Sequence, residues 1–117
     1  MKPLIYIAGP YTEPDPVLNV RRACEAADRV LAAGGLPYVP HLSHLWHLIK
    51  PKSYEEWVAI DLAMLAHCDG FWRLSGASPG AEREEREAQK LGLSLLFRDE
   101  TMHEWIDSLA AGRGGRE

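Results

Sequence analysis

Residues 3–10 read PLIYIAGP, and this stretch indicates how the whole chain is organised. Its first six residues contain no charged side chain, and they end at a Gly-Pro pair. An apolar run of that length before a turn is typical of a strand at the centre of a parallel sheet, where both faces are covered by helices. The stretch therefore predicts a buried first strand in an α/β protein.

Segments with helical and strand periodicity alternate from this strand to the end of the chain. Helix starts are marked by Asp15-Pro16 and by a capping box of Ser53 and Glu56. Helices are predicted over 16–33, 54–68, 80–91 and 101–111, and further strands over 36–39, 70–74 and 93–97. Residues 41–52 fit either a short helix or an ordered loop. The alternation predicts a parallel sheet of four to five strands with helices on both faces.

The predicted topology also indicates where a ligand would bind. In open parallel sheets, ligands lie at the carboxyl ends of the strands, where the strand order reverses. If the first and third strands are neighbours there, two loops converge, residues 9–14 and residues 75–80. The second loop is rich in glycine and serine and leads into a helix, so its amides could receive an anion or a sugar hydroxyl.

The composition limits the class of protein. The 117 residues carry a net charge of -4, which argues against binding to polymeric nucleic acid or to a membrane surface. No apolar run is long enough to cross a membrane or to form a secretory signal, and two cysteines do not make a disulfide framework. We expect one cytoplasmic domain over residues 1–111, followed by a flexible tail over 112–117.

Glu84 stands out in the third predicted helix. At about 100° per residue it faces the sheet, with Glu85 nearer the edge of the same stripe. The rest of that stripe is apolar: Ala81, Ala88 and Leu91. An inward carboxylate at the ligand-binding end of a sheet indicates a functional site. The alternative is a structural role in which Glu84 serves the helix dipole or pairs with a basic neighbour.

Asp61 is a second carboxylate that is predicted to face inward, in the second predicted helix. It lies on a face that is otherwise apolar: Trp57, Ile60, Met64, Leu65 and Cys68. Buried carboxylates need a partner or a shifted pKa. A structural hydrogen bond to a loop would also explain Asp61. Two inward acids from different helices, however, are the pair that glycosidic-bond cleavage uses, one as nucleophile and one in proton transfer.

Three histidines, His41, His44 and His47, are spaced by three residues beside Trp46. A helix would place two or three of them on one face, so a metal site is one interpretation. No cysteine lies nearby and Asp61 is not at a recognisable ligand spacing. We therefore favour histidines that line the mouth of a pocket or pack on Trp46, and we predict neither a metal nor a cofactor.

An ordered series of short motifs runs across residues 4–97. In chain order they are IYIAGPYT (5–12), Asn19 in an alanine-rich helix, Gly35, Pro40, WVAID (57–61), LAHCD (65–69), and Ser78-x-Gly80-Ala81-x-x-Glu84 followed by Ala88 and Gly92. This series resembles the nucleoside 2-deoxyribosyltransferase-like superfamily, which includes deoxyribosyltransferases and nucleoside-monophosphate N-glycosidases. The resemblance implies a flavodoxin-like three-layer sandwich.

The resemblance also implies roles for individual residues. Glu84 would attack the anomeric carbon of a (deoxy)ribosyl group, Asp61 would assist proton transfer to the leaving base or contact the sugar, and Tyr6 would position the nucleophile. The resemblance implies that Ser78, Gly9 and Gly80 line the substrate pocket together with the neighbours Pro10, Tyr11 and Thr12. The histidine spacing adds His41 as a substrate-binding residue at the mouth of that pocket.

The function that this implies is cleavage of the N-glycosidic bond of a (deoxy)nucleoside or its 5′-monophosphate through a covalent glycosyl-glutamate intermediate. Ser78 favours resolution by water, as in an N-hydrolase. The alternatives are transfer of the sugar to another base and a nucleotide-binding module without turnover. The expected partners are a small-molecule nucleoside or nucleotide and a second copy of this chain, as a homodimer or higher homo-oligomer.

Overall fold

A computed structural model describes the backbone of residues 1–116 and the side chains of residues 1–112. Helices and strands alternate as the sequence predicts, and the ambiguous segment forms a 3₁₀ turn (Pro40–Ser43) followed by a short helix. The elements in chain order are β1 (Leu4–Ala8), α1 (Pro16–Ala32), β2 (Leu36–Tyr38), α2 (His44–Ile49), α3 (Tyr54–Leu65), β3 (Gly70–Arg73), α4 (Pro79–Lys90), β4 (Ser94–Leu96) and α5 (Met102–Arg116).

The four strands form one parallel sheet in the order β2-β1-β3-β4. The chain adds β2 on one side of β1 and then crosses to add β3 and β4 on the other, so the order reverses between β1 and β3. Those two strands pair from Ile5 with Gly70 to Ala8 with Arg73. The sheet confirms the predicted α/β class with four strands and a flavodoxin-like arrangement.

Each face of the sheet packs against a different pair of helices. Alternate side chains of β1 separate the two cores, with Ile5 and Ile7 on one face and Tyr6 and Ala8 on the other. The first core includes residues of α1 and α5, and the second includes residues of α3 and α4. The result is the three-layer sandwich that the sequence predicts, and it places Tyr6 on the same side as α4.

One part of the predicted core is wrong. Ile60 and Met64 are 37% and 38% exposed, whereas Leu65 is fully buried and Cys68 nearly so. The apolar face was assigned by spacing alone, but α3 turns the side of Asp61 and Leu65 toward the sheet. Ile60 and Met64 therefore lie on the outer side of the helix in this chain.

The last helix also extends beyond its predicted end at Ala111, since α5 runs to Arg116. Gly112 lowers helix propensity but keeps its backbone N–H, so it does not terminate a helix as proline would. Glu117 lies outside the described residues, and the flexibility of residues 112–117 stays a prediction.

Gly70 should not tolerate a larger residue, because α5 packs directly on its Cα. A Cβ there would lie 2.8 Å from Cζ2 of Trp105 and 2.9 Å from Cδ1 of Leu109. Trp105 cannot move freely, since its Nε1 donates to Ser94 Oγ at 2.8 Å. We expect Gly70→Ala to lower the free energy of unfolding by about 1–3 kcal/mol in urea titrations.

The matched control is Gly112→Ala, in the same helix α5 but with no atom within 4 Å of the added Cβ. That variant should be neutral or stabilised by up to about 1 kcal/mol, since alanine is the better helix former. Equal unfolding midpoints for the two variants would contradict the packing of α5 on Gly70.

Candidate active site

A cavity of about 510 Å³ lies at the carboxyl ends of β1 and β3, where the strand order reverses. Its walls come from the loop after β1, the segment from Pro40 to Lys52, α3, and the start of α4. All but one of the predicted site residues line it: Gly9, Pro10, Tyr11, Thr12, His41, Asp61, Ser78, Gly80 and Glu84. The exception, Tyr6, lies directly behind Glu84.

Tyr6 and Glu84 form the central contact of this site. The hydroxyl of Tyr6 donates a hydrogen bond to Oε2 of Glu84, joining β1 to α4 across 78 residues of sequence. Tyr6 is fully buried, and its ring stacks on Phe71 with centroids 5.8 Å apart. Because burial and the neighbouring Glu84 raise the pKa of Tyr6, the phenol stays protonated and remains a donor. Glu84 is thus held by one oxygen.

The ionisation of Glu84 is shifted by its surroundings. Burial raises the pKa of Glu84 to about 7, and the charge of Asp61 adds to this rise. The hydrogen bond from Tyr6 and the guanidinium of Arg73 act in the opposite direction. Arg73 itself pairs with Glu85, with Nε 3.7 Å from Oε1. Glu84 is therefore a carboxylate that can be ionised near neutral pH yet is poorly solvated, as a nucleophile should be.

Asp61 provides the second acid from α3. It is half-buried in the cavity wall, and burial raises the pKa of Asp61 to about 6. Part of the Asp61 population therefore carries a proton near neutral pH. A carboxyl group in that range can donate a proton and take one back, which is the property of a general acid and base.

We expect Glu84→Gln to stabilise the fold at alkaline pH. The pKa of Glu84 lies above its ordinary 4.5 in the folded chain, so the unfolded chain releases this proton first as pH rises. Stability therefore falls between about pH 4.5 and 7, and the loss is complete above 7. In urea titrations at pH 8 the variant should gain about 1–2 kcal/mol, and this gain should shrink at pH 4.

Glu82→Gln is the control for that measurement, because Glu82 is an exposed residue of the same helix. Its effect on the free energy of unfolding should be small at both pH values. A Glu84→Gln variant that is less stable than the native chain at pH 8 would contradict a desolvated carboxylate.

The two predicted loops are shaped by small residues and by one cap. A Cβ on Gly9 would lie 3.0 Å from Cβ of Leu74, so glycine lets the loops after β1 and β3 approach closely. Ser78 is the N-cap of α4, and its Oγ accepts from the amide of Ala81 at 3.1 Å. The Ser78 hydroxyl keeps its own proton, which remains available to a ligand in the cavity.

The histidines of the 3₁₀ turn and α2 contact the loop after β1. Nε2 of His41 lies 3.0 Å from the carbonyl oxygen of Pro10, and the Tyr11 hydroxyl lies 2.5 Å from Nδ1 of His44. Burial lowers the pKa of His41, so this ring is neutral and Nε2 carries the proton donated to Pro10. Nδ1 of His41 is then a buried acceptor with no hydrogen-bond partner in the described chain.

The sequence did not identify one wall of the cavity. Four residues from the end of α2 to the middle of α3 line it without having been assigned a site role: Lys52, Tyr54, Trp57 and Val58. Trp57 was visible only as an apolar position and as part of the WVAID motif, and no signal indicated the other side chains at the start of α3. Arg73, which acts on Glu84, was missed because a lone arginine at a strand end has no distinguishing pattern.

The described residues were searched for a metal site and for a membrane-spanning helix. Among them, no group of three or more His, Cys, Asp or Glu side chains is placed to hold a metal ion. None of their helices is both long and apolar enough to span a membrane. The cytoplasmic location stays a prediction.

Comparison with known proteins supports the fold. A family model described as "Domain of unknown function (DUF7768)" matches residues 3–98. No curated protein matches the chain. One similar solved structure is a 2-deoxyribosyltransferase from Bacillus psychrosaccharolyticus, with a TM-score of 0.52 and 18% identity, covering 79% of this chain and 69% of the other. This likeness confirms the nucleoside 2-deoxyribosyltransferase-like fold that the sequence motifs predict.

Proposed function

The chain belongs to the family described as Domain of unknown function (DUF7768). We propose that the residues lining its cavity cleave the N-glycosidic bond of a (deoxy)nucleoside or its 5′-monophosphate. The observation that carries the proposal is Glu84, held by Tyr6 and facing the same cavity as Asp61. The similar solved structure is that of an enzyme described as a biocatalyst for nucleoside synthesis, which agrees with this chemistry.

In the first step the ionised carboxylate of Glu84 attacks the anomeric carbon of the sugar. The bond from that carbon to the base nitrogen breaks, and its electron pair leaves with the base. Asp61 donates its proton to the departing base, so that neutral base and a glycosyl ester of Glu84 are formed. Tyr6 is a positioning residue, because it holds one carboxylate oxygen and leaves the other free.

In the second step water attacks the same carbon. Asp61, now ionised, accepts a proton from that water, the bond to Glu84 breaks, and the carboxylate is regenerated. Free sugar or its 5′-phosphate leaves. We favour this hydrolytic outcome because Ser78 supplies a hydroxyl where the related transferases often have a carboxylate. No cofactor takes part.

The substrate contacts are proposed for the two loops and the histidine turn. Backbone groups of Gly9, Pro10 and Gly80 would meet the sugar or its 5′ substituent, with hydroxyls from Tyr11, Thr12 and Ser78. His41 would act at the same wall of the cavity by holding the Pro10 carbonyl, and with it the loop that meets the sugar.

The deciding experiment incubates the native chain with deoxynucleosides, ribonucleosides and their 5′-monophosphates, with and without a second free base, and separates the products by chromatography. Release of free base without an acceptor supports the N-hydrolase. New nucleoside formed only with an acceptor indicates a deoxyribosyltransferase instead. Ligand-dependent thermal stabilisation without any product would make the site a nucleotide-binding module.

We propose further that residues 1–111 act as one domain and that the chain pairs with a second copy. The surface beside the cavity exposes large aliphatic side chains, each more than 60% accessible: Leu42, Leu45, Leu48 and Ile49. Such a contiguous apolar patch is typical of an interface. Sedimentation of the native chain should show a dimer or a higher homo-oligomer. Leu45→Glu together with Ile49→Glu should shift it toward monomer, whereas a monomeric native chain would contradict pairing.

A further inference from the structure

The hydrogen bonds of His47 determine which of its ring nitrogens carries the proton. Nδ1 of His47 lies 2.8 Å from Nε1 of Trp57 and 3.2 Å from the backbone nitrogen of Lys52. An indole N–H and a backbone N–H can only donate, so Nδ1 must accept from both. In the neutral ring the proton therefore belongs to Nε2, which becomes a donor with a defined position.

The Nε2–H group is available to a ligand. His47 is half-buried and lines the cavity, and its Nε2 makes no hydrogen bond to another part of the described chain. The ring is held in place by aromatic contacts as well. Its centroid lies 5.9 Å from that of Trp57, and Trp57 meets Trp46 edge-on at 5.0 Å. A fixed donor is thus presented at the wall of the cavity.

The neighbouring polar groups of this wall are donors too. The ammonium group of Lys52 lies 5.1 Å from the ring centroid of Trp46, and both Lys52 and His47 line the cavity. The hydroxyl of Tyr54 lies close to the start of α4, 3.7 Å from where a Cβ of Gly80 would be. A ligand that meets this wall would best present hydrogen-bond acceptors.

The place where His47 contacts α3 indicates which part of a substrate it would meet. Trp57, to which His47 is bonded, precedes Asp61 by four residues, or about 6 Å along the helix axis. In the proposed reaction Asp61 protonates the base next to the glycosidic bond. A group one helical turn away is then at a distance suited to the opposite edge of the base.

We propose that His47 is a specificity-determining residue that donates a hydrogen bond from Nε2 to a carbonyl oxygen of the base, so that the site takes oxo bases in preference to amino bases. The inference rests on the proposed function, since it assumes that a nucleoside occupies the cavity. An exocyclic amino group at the same edge would place its N–H against the N–H of His47. Both donors would then be left unpaired in a partly desolvated site, which is the strongest basis for discrimination.

The test compares two nucleosides that differ at this edge, 2′-deoxyinosine with a 6-oxo group and 2′-deoxyadenosine with a 6-amino group. Binding is measured by calorimetry in the Glu84→Gln chain, in which no turnover is expected. We expect 2′-deoxyinosine to bind about tenfold more tightly or better. The same comparison between 2′-deoxyuridine and 2′-deoxycytidine should have the same sign.

Two substitutions of His47 separate its two nitrogens. In His47→Asn the amide oxygen can replace Nδ1 and accept from Trp57, but no donor remains at the position of Nε2, so the oxo preference should fall to about one. His47→Gln can place an amide N–H near the position of Nε2 and should retain part of the preference. His67→Asn is the control, because His67 is exposed and does not line the cavity.

The outcomes distinguish this inference from the function on which it rests. If the native chain releases base but the Glu84→Gln chain binds both nucleosides equally, the role of His47 is wrong and the function stands. An oxo preference that survives in His47→Asn overturns the role as well. If no nucleoside binds and the native chain releases no base, the proposed function and the role of His47 fail together.

Discussion

Replacing Glu84 by glutamine is expected to lower the rate of base release by about 10³-fold or more, because the amide cannot form the glycosyl ester. The fold should survive the change, since the amide oxygen of the substituted side chain can still accept the hydrogen bond from Tyr6. The measurement is the rate of free base release at substrate saturation, followed by chromatography. Residual activity within about tenfold of the native rate would exclude Glu84 as nucleophile.

The same residue can be identified directly by trapping the intermediate. A 2′-fluoro-substituted nucleoside should react slowly, so that the intact mass of the native chain rises by that of the fluorinated sugar. The adduct should map to Glu84 after proteolysis and should be absent from the Glu84→Gln chain. Glu82→Gln is the matched control on the same helix, exposed to solvent, and should keep both native activity and the adduct.

The pH dependence of the reaction provides the second large effect. Glu84 must be ionised to attack, and with its pKa raised to about 7 the ionised fraction of Glu84 falls as pH drops below that value. Asp61 must be protonated to assist the leaving base, and with its pKa raised to about 6 the protonated fraction of Asp61 falls as pH rises above it. Activity follows the product of these two fractions. The profile of kcat/KM should therefore be a bell with its maximum between these values.

Asp61→Asn should change both the height and the shape of that profile. Loss of the proton donor should lower kcat/KM by about 10²–10⁴-fold and remove the alkaline fall. The remaining acid limb then reports the pKa of Glu84 alone, and because the charge of Asp61 raises that pKa, it should lie below 7 in the variant. Asp28→Asn, an exposed substitution on α1, should leave the native profile unchanged. An acid limb at or above about pH 7 in Asp61→Asn would contradict the coupling of the two carboxylates.

The positions of the two acids illustrate how far local spacing can predict a site. Helical phase placed Glu84 on the inward side of α4, between the directions of Ala88 and Leu91; Ala88 is buried and Glu84 lines the cavity, whereas Leu91 is 42% exposed. The same reasoning placed Asp61 inward on α3. It also assigned Ile60 and Met64 to the core, but both side chains are exposed. Phase gives a direction around a helix, but how that helix is rotated against the sheet depends on packing.

The histidines show where prediction from spacing stops. Their regular separation of three residues was compatible with one face of a helix, yet the chain divides them between a 3₁₀ turn and α2. His41 and His44 contact the loop after β1, while His47 contacts Trp57 on α3. These contacts depend on how three separate segments meet, which no periodicity within one segment records.

The sequence by itself determined the alternation of strands and helices, the helix caps at Asp15 and Ser53, and the run PLIYIA as a strand that is buried on both faces and ends at Gly9-Pro10. These features are local, because periodicity and capping involve residues within a few positions of one another. The family resemblance implied that Tyr6 positions Glu84, but the hydrogen bond between them follows from the tertiary structure, as does the contact by which Trp57 fixes the proton of His47. The first contact joins β1 to α4 across 78 residues, so it exists only once the crossover places β3 beside β1. The second joins the consecutive helices α2 and α3, and it depends on how the chain between them folds those helices together.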